Sequence, residues 1–115
     1  MKTHIKTTHL DLTPSLEVYI ARKLATIERL LMRFNEKGVA ELWLEVGRTT
    51  RHHHKGQVFR AEADLRLPGK VLRAAEENVD VRTALDVMKD KLYLEIEKYK
   101  TKFMDQSRRK RVRTK

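Results

Sequence analysis

DVRTALDVMKDKLYLEIEKYKTKF, residues 80–103, carries an apolar residue at every third or fourth position: Val81, Leu85, Met88, Leu92, Ile96, Tyr99 and Phe103. At about 100° per residue these fall in one narrow arc, the mark of a helix that buries a single stripe. Arg82, Lys89 and Lys100 flank one edge of the arc, and Lys91, Lys98 and Lys102 flank the other. Core packing accounts for the stripe; the cations are left to face something else.

Upstream, Phe59, Ala61, Ala63, Leu65 and Leu67 alternate with Arg60, Glu62, Asp64 and Arg66, a period of two that predicts a strand. Leu67-Pro68-Gly69-Lys70 places proline and glycine at the centre of a type II turn, and a return strand is expected over residues 70–75. Asp80 is placed to cap the final helix. Residues 39–48 also alternate, with Leu42, Leu44 and Val46 on one face and Glu41, Trp43 and Glu45 on the other. Nearer the start, Thr13 and Pro14 form an N-cap and first helical position. Leu16, Ile20, Leu24, Ile27, Leu31 and Phe34 then predict a helix to about Asn35, ended by Lys37-Gly38. A short strand is expected over residues 3–10. The order is β-α-β-β-β-α. Alternating strands bury one sheet face, and both helices must cover it, which gives an α+β two-layer sandwich with a four-stranded sheet.

The chain has 115 residues, enough for one domain. It has no cysteine, which excludes disulfides and thiolate metal sites. The start lacks the apolar core of a signal peptide, and no run is long enough to span a membrane; the expected location is the cytoplasm. The net charge is +10. QSRRKRVRTK, residues 106–115, holds six of the 26 basic residues and no acid, leaving twenty basic against sixteen acidic residues in 1–105. The expected division is a folded domain over 1–105 and a disordered basic tail over 106–115. The tail reads as a phosphate-contacting end, or as a solubilising end or linker.

Arg22, Arg29 and Arg33 align on the far side of the first helix. Two helices side by side on one sheet would bring them near Lys91, Lys98 and Lys102, or near Lys89 and Lys100, of the second, and such a basic ridge suits a phosphate backbone. Lysine-rich outer helix faces are also common on soluble proteins, but recurrence on both helices favours nucleic acid. His52, His53 and His54 are adjacent in a polar loop without a further ligand at metal spacing, so a basic loop is preferred to a metal site; His4 and His9 read as strand surface residues. Trp43 either stacks on a base or shields the outer sheet face under Arg60 or Arg66. Val87 and Leu94, opposite the buried stripe, read as stray surface residues or a small contact patch. Asp86 and Asp90 read as surface ion-pair partners. No glycine-rich phosphate loop or nucleophile elbow is present, so no enzyme and no cofactor is expected.

The segment from His52 to Lys102, with its VFRAEADLRLPGKVLRAAE hairpin, DVRTALD helix opening and DKL…KYKTK ending, resembles the ribosome hibernation-promoting factor and ribosome-associated inhibitor family. TPSLEVYIARKLATIERL resembles the family's first helix, and the likeness covers about residues 1–103. It implies a fold similar to double-stranded-RNA-binding domains. It also implies a factor lodged between head and body of the small ribosomal subunit, blocking messenger and transfer RNA. Family contacts to ribosomal RNA correspond here to Arg22, Lys23, Arg29, Lys89, Lys91, Lys98, Lys100 and Lys102; the helical pattern adds Arg33 and Arg82. Leu94 stands where the family commonly has arginine, and Arg82 where it often has tyrosine. Long members add a ribosome-pairing domain, so this chain, which resembles the short form, is expected not to dimerise ribosomes by its own contacts and to be monomeric off the ribosome. The competing readings are a general double-stranded-RNA binder and a protein-interaction module acting on a transcription factor through Trp43.

Overall fold

The computed structural model of the chain describes residues 1–32, 40–49 and 58–113, with side chains as far as Lys102. The elements are β1 (Lys2–Thr8), α1 (Pro14–Met32), β2 (Glu41–Thr49), β3 (Val58–Leu67), β4 (Lys70–Asn78) and α2 (Val81–Arg113), the α+β order expected from the pattern. Their boundaries follow from local chemistry. Thr13 accepts the backbone N–H of Leu16 on its hydroxyl at 3.2 Å, opening α1. Asp80 does the same for α2, taking the Thr83 N–H at 3.3 Å and the Thr83 hydroxyl at 2.7 Å. Those bonds, the Thr83 hydroxyl's first, hold the Asp80 carboxyl below the usual carboxylate range. Gly69 adopts a φ of 74°, the left-handed conformation required at the third position of a type II turn.

The sheet order is β1-β2-β3-β4. β1 runs parallel to β2, with Ile5 opposite Leu44, because α1 carries the chain back before β2 begins. β2, β3 and β4 form an antiparallel meander. Gly47 lies against β1 so closely that a Cβ there would meet the Thr8 carbonyl oxygen at 2.8 Å. Across β2 and β3, Leu44 pairs with Ala63 and Val46 with Ala61, large against small. Those alanines let Ile20 and Ile27 of α1 and Leu85, Met88, Leu92 and Ile96 of α2 close on the same face, all buried.

Three differences from the sequence reading are backbone effects. β4 runs to Asn78 rather than residue 75, since its ladder continues to the Phe59–Asn78 pair. His9 is not in the strand; it turns the chain beyond β1 with a φ of 54°. The backbone of residues 106–113 continues α2 rather than forming a disordered tail. Gln, Lys and Arg are good helix formers, and extending an existing helix needs no new nucleus. The expected end of α1 near Asn35, with Lys37-Gly38, and the His52–His54 loop lie outside the described residues.

Trp43 shields the outer sheet face, as one of its readings held. His4 stacks on it with ring centroids 4.0 Å apart, and the Arg66 guanidinium lies 5.5 Å from its ring. Its indole N–H donates to Glu41 at 2.6 Å. Arg60 instead pairs with Glu62 and Glu77.

Candidate nucleic-acid interface

α1 and α2 lie side by side with their first turns together. Arg82, in the first turn of α2, donates to the Ser15 hydroxyl in the first turn of α1 at 2.7 Å. One turn further in, the Tyr19 hydroxyl donates to Asp86 at 2.5 Å and the Lys23 ammonium pairs with the same carboxylate at 3.0 Å. The positive ends of both helix dipoles therefore lie next to each other, among cationic side chains.

Asp86 organises this contact. Burial pushes its carboxyl pKa up, but the bonds from Tyr19 and Lys23 and the nearby Lys23 and Lys89 charges outweigh burial, leaving it below the ordinary carboxylate range. Tyr19 is pushed up to about 12, first by burial and then by its bond to Asp86. The Tyr19 ring also lies beneath two cations, with Arg82 4.9 Å and Lys23 5.1 Å from its centroid. Sequence reasoning did not select Tyr19. Tyr19 and Lys23 are one turn apart, a local signal, but their partner is 67 residues from Tyr19.

Of the two flanks of α2, the one that carries Arg82 and Lys89 is the one beside α1. Arg22 and Arg29 stand exposed on the outer side of α1, while Lys23, Arg82 and Lys89 line the seam between the helices. Lys91 points the other way, donating to the Ala75 carbonyl at 3.2 Å and pairing with Glu76 at 3.4 Å on β4. Lys91 stands two positions after Lys89, about 200° around a helix, so they cannot share a flank. By the same angle Lys100 falls with Lys89, and Lys98 and Lys102 fall with Lys91. Lys98 pairs with Glu95 at 3.6 Å, and Lys89 with Asp90 at 2.7 Å. Among the described residues, Arg22, Arg29 and Lys102 have no carboxylate partner, and Arg82 forms no ion pair, though its charge helps to hold the Asp80 carboxyl down; Arg33 lies outside them. Leu94 is exposed on the crest between the two flanks, with Val87 half-buried below it. Asp86 and Asp90 are indeed ion-pair partners, of Lys23 and Lys89.

Among the described residues, no three His, Cys, Asp or Glu side chains cluster as metal ligands, and no helix is long and apolar enough to cross a membrane. The sequence pattern of the family described as "Sigma 54 modulation protein / S30EA ribosomal protein" matches residues 3–104. The chain belongs to this family. As an S30EA-family chain it is similar to a ribosome hibernation promotion factor of Deinococcus radiodurans, 26% identical over 98 residues. That alignment covers 85% of this chain but 48% of the relative, so the chain spans about half the relative's length. The crystal structure of the Thermus thermophilus Protein Y N-terminal domain superposes with a TM-score of 0.67 at 25% identity, covering 86% of this chain and 99% of that one. A ribosomal subunit interface protein from Coxiella burnetii, 19% identical, has the same fold, with a TM-score of 0.69 over 88% of this chain and 99% of its own.

Proposed function

We propose that this chain is a non-enzymatic, ribosome-associated factor of the hibernation type, acting in the cytoplasm without a cofactor. It binds ribosomal RNA of the small subunit through the outer face of α1 and its seam with α2. It inhibits translation by occupying space between head and body that messenger and transfer RNA require. The observation that carries the reading is Arg22 and Arg82 lining one groove between two parallel helices, with Arg29 exposed further along α1 and none of the three in an ion pair among the described residues, in a chain of the S30EA family. Guanidinia left unpaired in the free protein are ready to neutralise phosphates. Lys91, Lys98 and Lys102 form a second, partly compensated track toward β4 and supply a weaker contact.

The test is co-sedimentation with ribosomes through a gradient, at rising salt and with added messenger RNA. Three guanidinia outside ion pairs, at about 0.9 per neutralised phosphate, predict a slope of about −2.7 in the logarithm of affinity against the logarithm of salt, and displacement by messenger RNA. Arg22→Glu with Arg29→Glu is expected to abolish co-sedimentation. A flat salt response, or equal affinity for any RNA duplex and for small subunits, would overturn the reading.

A further inference from the structure

We propose that the groove between the first turns of α1 and α2 is a subsite for one unpaired nucleotide of a bound RNA strand, a proposal that rests on the RNA-binding reading and sharpens it. The groove is lined by Pro14, Ser15, Val18, Tyr19, Arg22 and Arg82 and has a volume of about 380 Å³, within the range of small-ligand sites. No carboxylate lines it. The grooves on the outer sheet face contain Glu45 and Glu62, and the one beside β4 contains Glu95 and Glu97. Two guanidinia therefore line one concavity that no carboxylate lines, and the carboxylates beside it are already engaged, Asp80 by the Thr83 N–H and hydroxyl and Asp86 by Tyr19 and Lys23. The missing partner is an anion, and a phosphodiester matches the guanidinium fork.

Two further features select a nucleotide over a bare anion. The Arg82 guanidinium is held in place, bonded to Ser15 and over the Tyr19 ring at 4.9 Å from its centroid. A base entering the groove meets a planar cation already backed by an aromatic ring, a surface on which unpaired bases stack. Val18 is 52% exposed in this basic surroundings; it gives a base or ribose an apolar wall that inorganic phosphate would not use. Arg82 carries the base, Arg22 the phosphate and Val18 the edge. Bases in a duplex are stacked on their neighbours and cannot enter, so the subsite reads a looped or flipped position.

The experiment is an NMR titration of the full chain with single-stranded tetraadenylate, a blunt RNA duplex, adenosine monophosphate and inorganic phosphate, following the Val18 methyls. Tetraadenylate is expected to move them downfield, because methyls against the edge of the seated base lie in the deshielding plane of its ring current, whereas the duplex and inorganic phosphate do not. Arg82→Lys, which keeps the charge and loses the plane, is expected to weaken tetraadenylate binding about tenfold with the remaining spectrum unchanged. Equal Val18 shifts with duplex, or no effect of Arg82→Lys, overturns the subsite. Adenosine monophosphate binding as tightly as tetraadenylate overturns its assignment to an RNA strand in favour of a free nucleotide. Ribosome co-sedimentation separates this proposal from the one it rests on. If the chain sediments with ribosomes but Val18 stays unshifted, the subsite fails and the ribosomal reading stands. If Val18 shifts as expected but nothing sediments, the ribosomal reading fails and the subsite stands.

Discussion

Replacing Asp86 with alanine is expected to move stability and RNA affinity in opposite directions. Asp86 is the anionic tie between the helices, accepting the Tyr19 hydroxyl and the Lys23 ammonium. Hydrogen bonds to a charged group contribute about 1.5–3 kcal/mol when shielded from water. Here 42% of the Asp86 side chain is exposed, and screening lowers the sum to about 1–2 kcal/mol. For a domain of this size that is a fall in melting temperature of about 5–10 °C. The same substitution frees Lys23 and removes a negative charge beside Arg82 and Lys89. One added phosphate contact steepens the salt slope by about 0.9 and raises affinity several-fold at low salt. Thermal melts by circular dichroism, paired with RNA filter binding across a salt series, measure both. Loss of affinity together with stability would refute the reasoning, because it would make the helix seam itself, rather than its charge balance, the determinant of binding.

Leu92, fully buried under α2, is expected to lose about 2–5 kcal/mol on Leu92→Ala, read as a lower denaturant midpoint with the fold retained. Gly69→Ala places a side chain at φ 74° with nothing within 4 Å to clash, so the loss is backbone strain alone, about 1–2 kcal/mol; an unchanged melting temperature would contradict the turn assignment. Tyr19 has its pKa raised, so its contribution is complete below its ordinary value of 10.0 and is lost as pH rises toward about 12. Tyr19→Phe should flatten that alkaline loss in a melting series from pH 9 to 12. Asp86 has its pKa lowered, so its contribution is present above the ordinary carboxylate range and is lost as acid brings the pH down through the depressed value. In Asp86→Asn the acid limb of the stability profile should lose that component.

The elements were legible because each is decided by local rules. The stripe Leu85, Met88, Leu92 and Ile96, the alternation through Ala61, Ala63 and Leu65, and Pro68-Gly69 each have one conformation that buries or permits them. Trp43 was legible only as an outer-face residue, open to stacking, to a partner or to shielding; the Arg66 guanidinium over its ring is what the fold supplied. The candidate site was legible only as a set of cations. Arg22 and Arg29 proved free of carboxylates among the described residues, but Lys91 and Lys98 bond inside the protein, to Glu76 and Glu95. Periodicity gives each cation its angle on its own helix and says nothing of which flank another helix will cover.

Sequence by itself determined the number and kind of elements, the buried face of each and the excess of positive charge, since helical and strand periods are properties of the chain within a few residues. Only the tertiary structure decided that β1 lies parallel at the sheet edge, that α1 covers the Arg82 flank of α2 and leaves the Lys91 flank to β4, and that Tyr19, Lys23 and Asp86 meet. Those outcomes depend on contacts between residues dozens of positions apart, where packing of whole surfaces selects the partner and no local rule reaches.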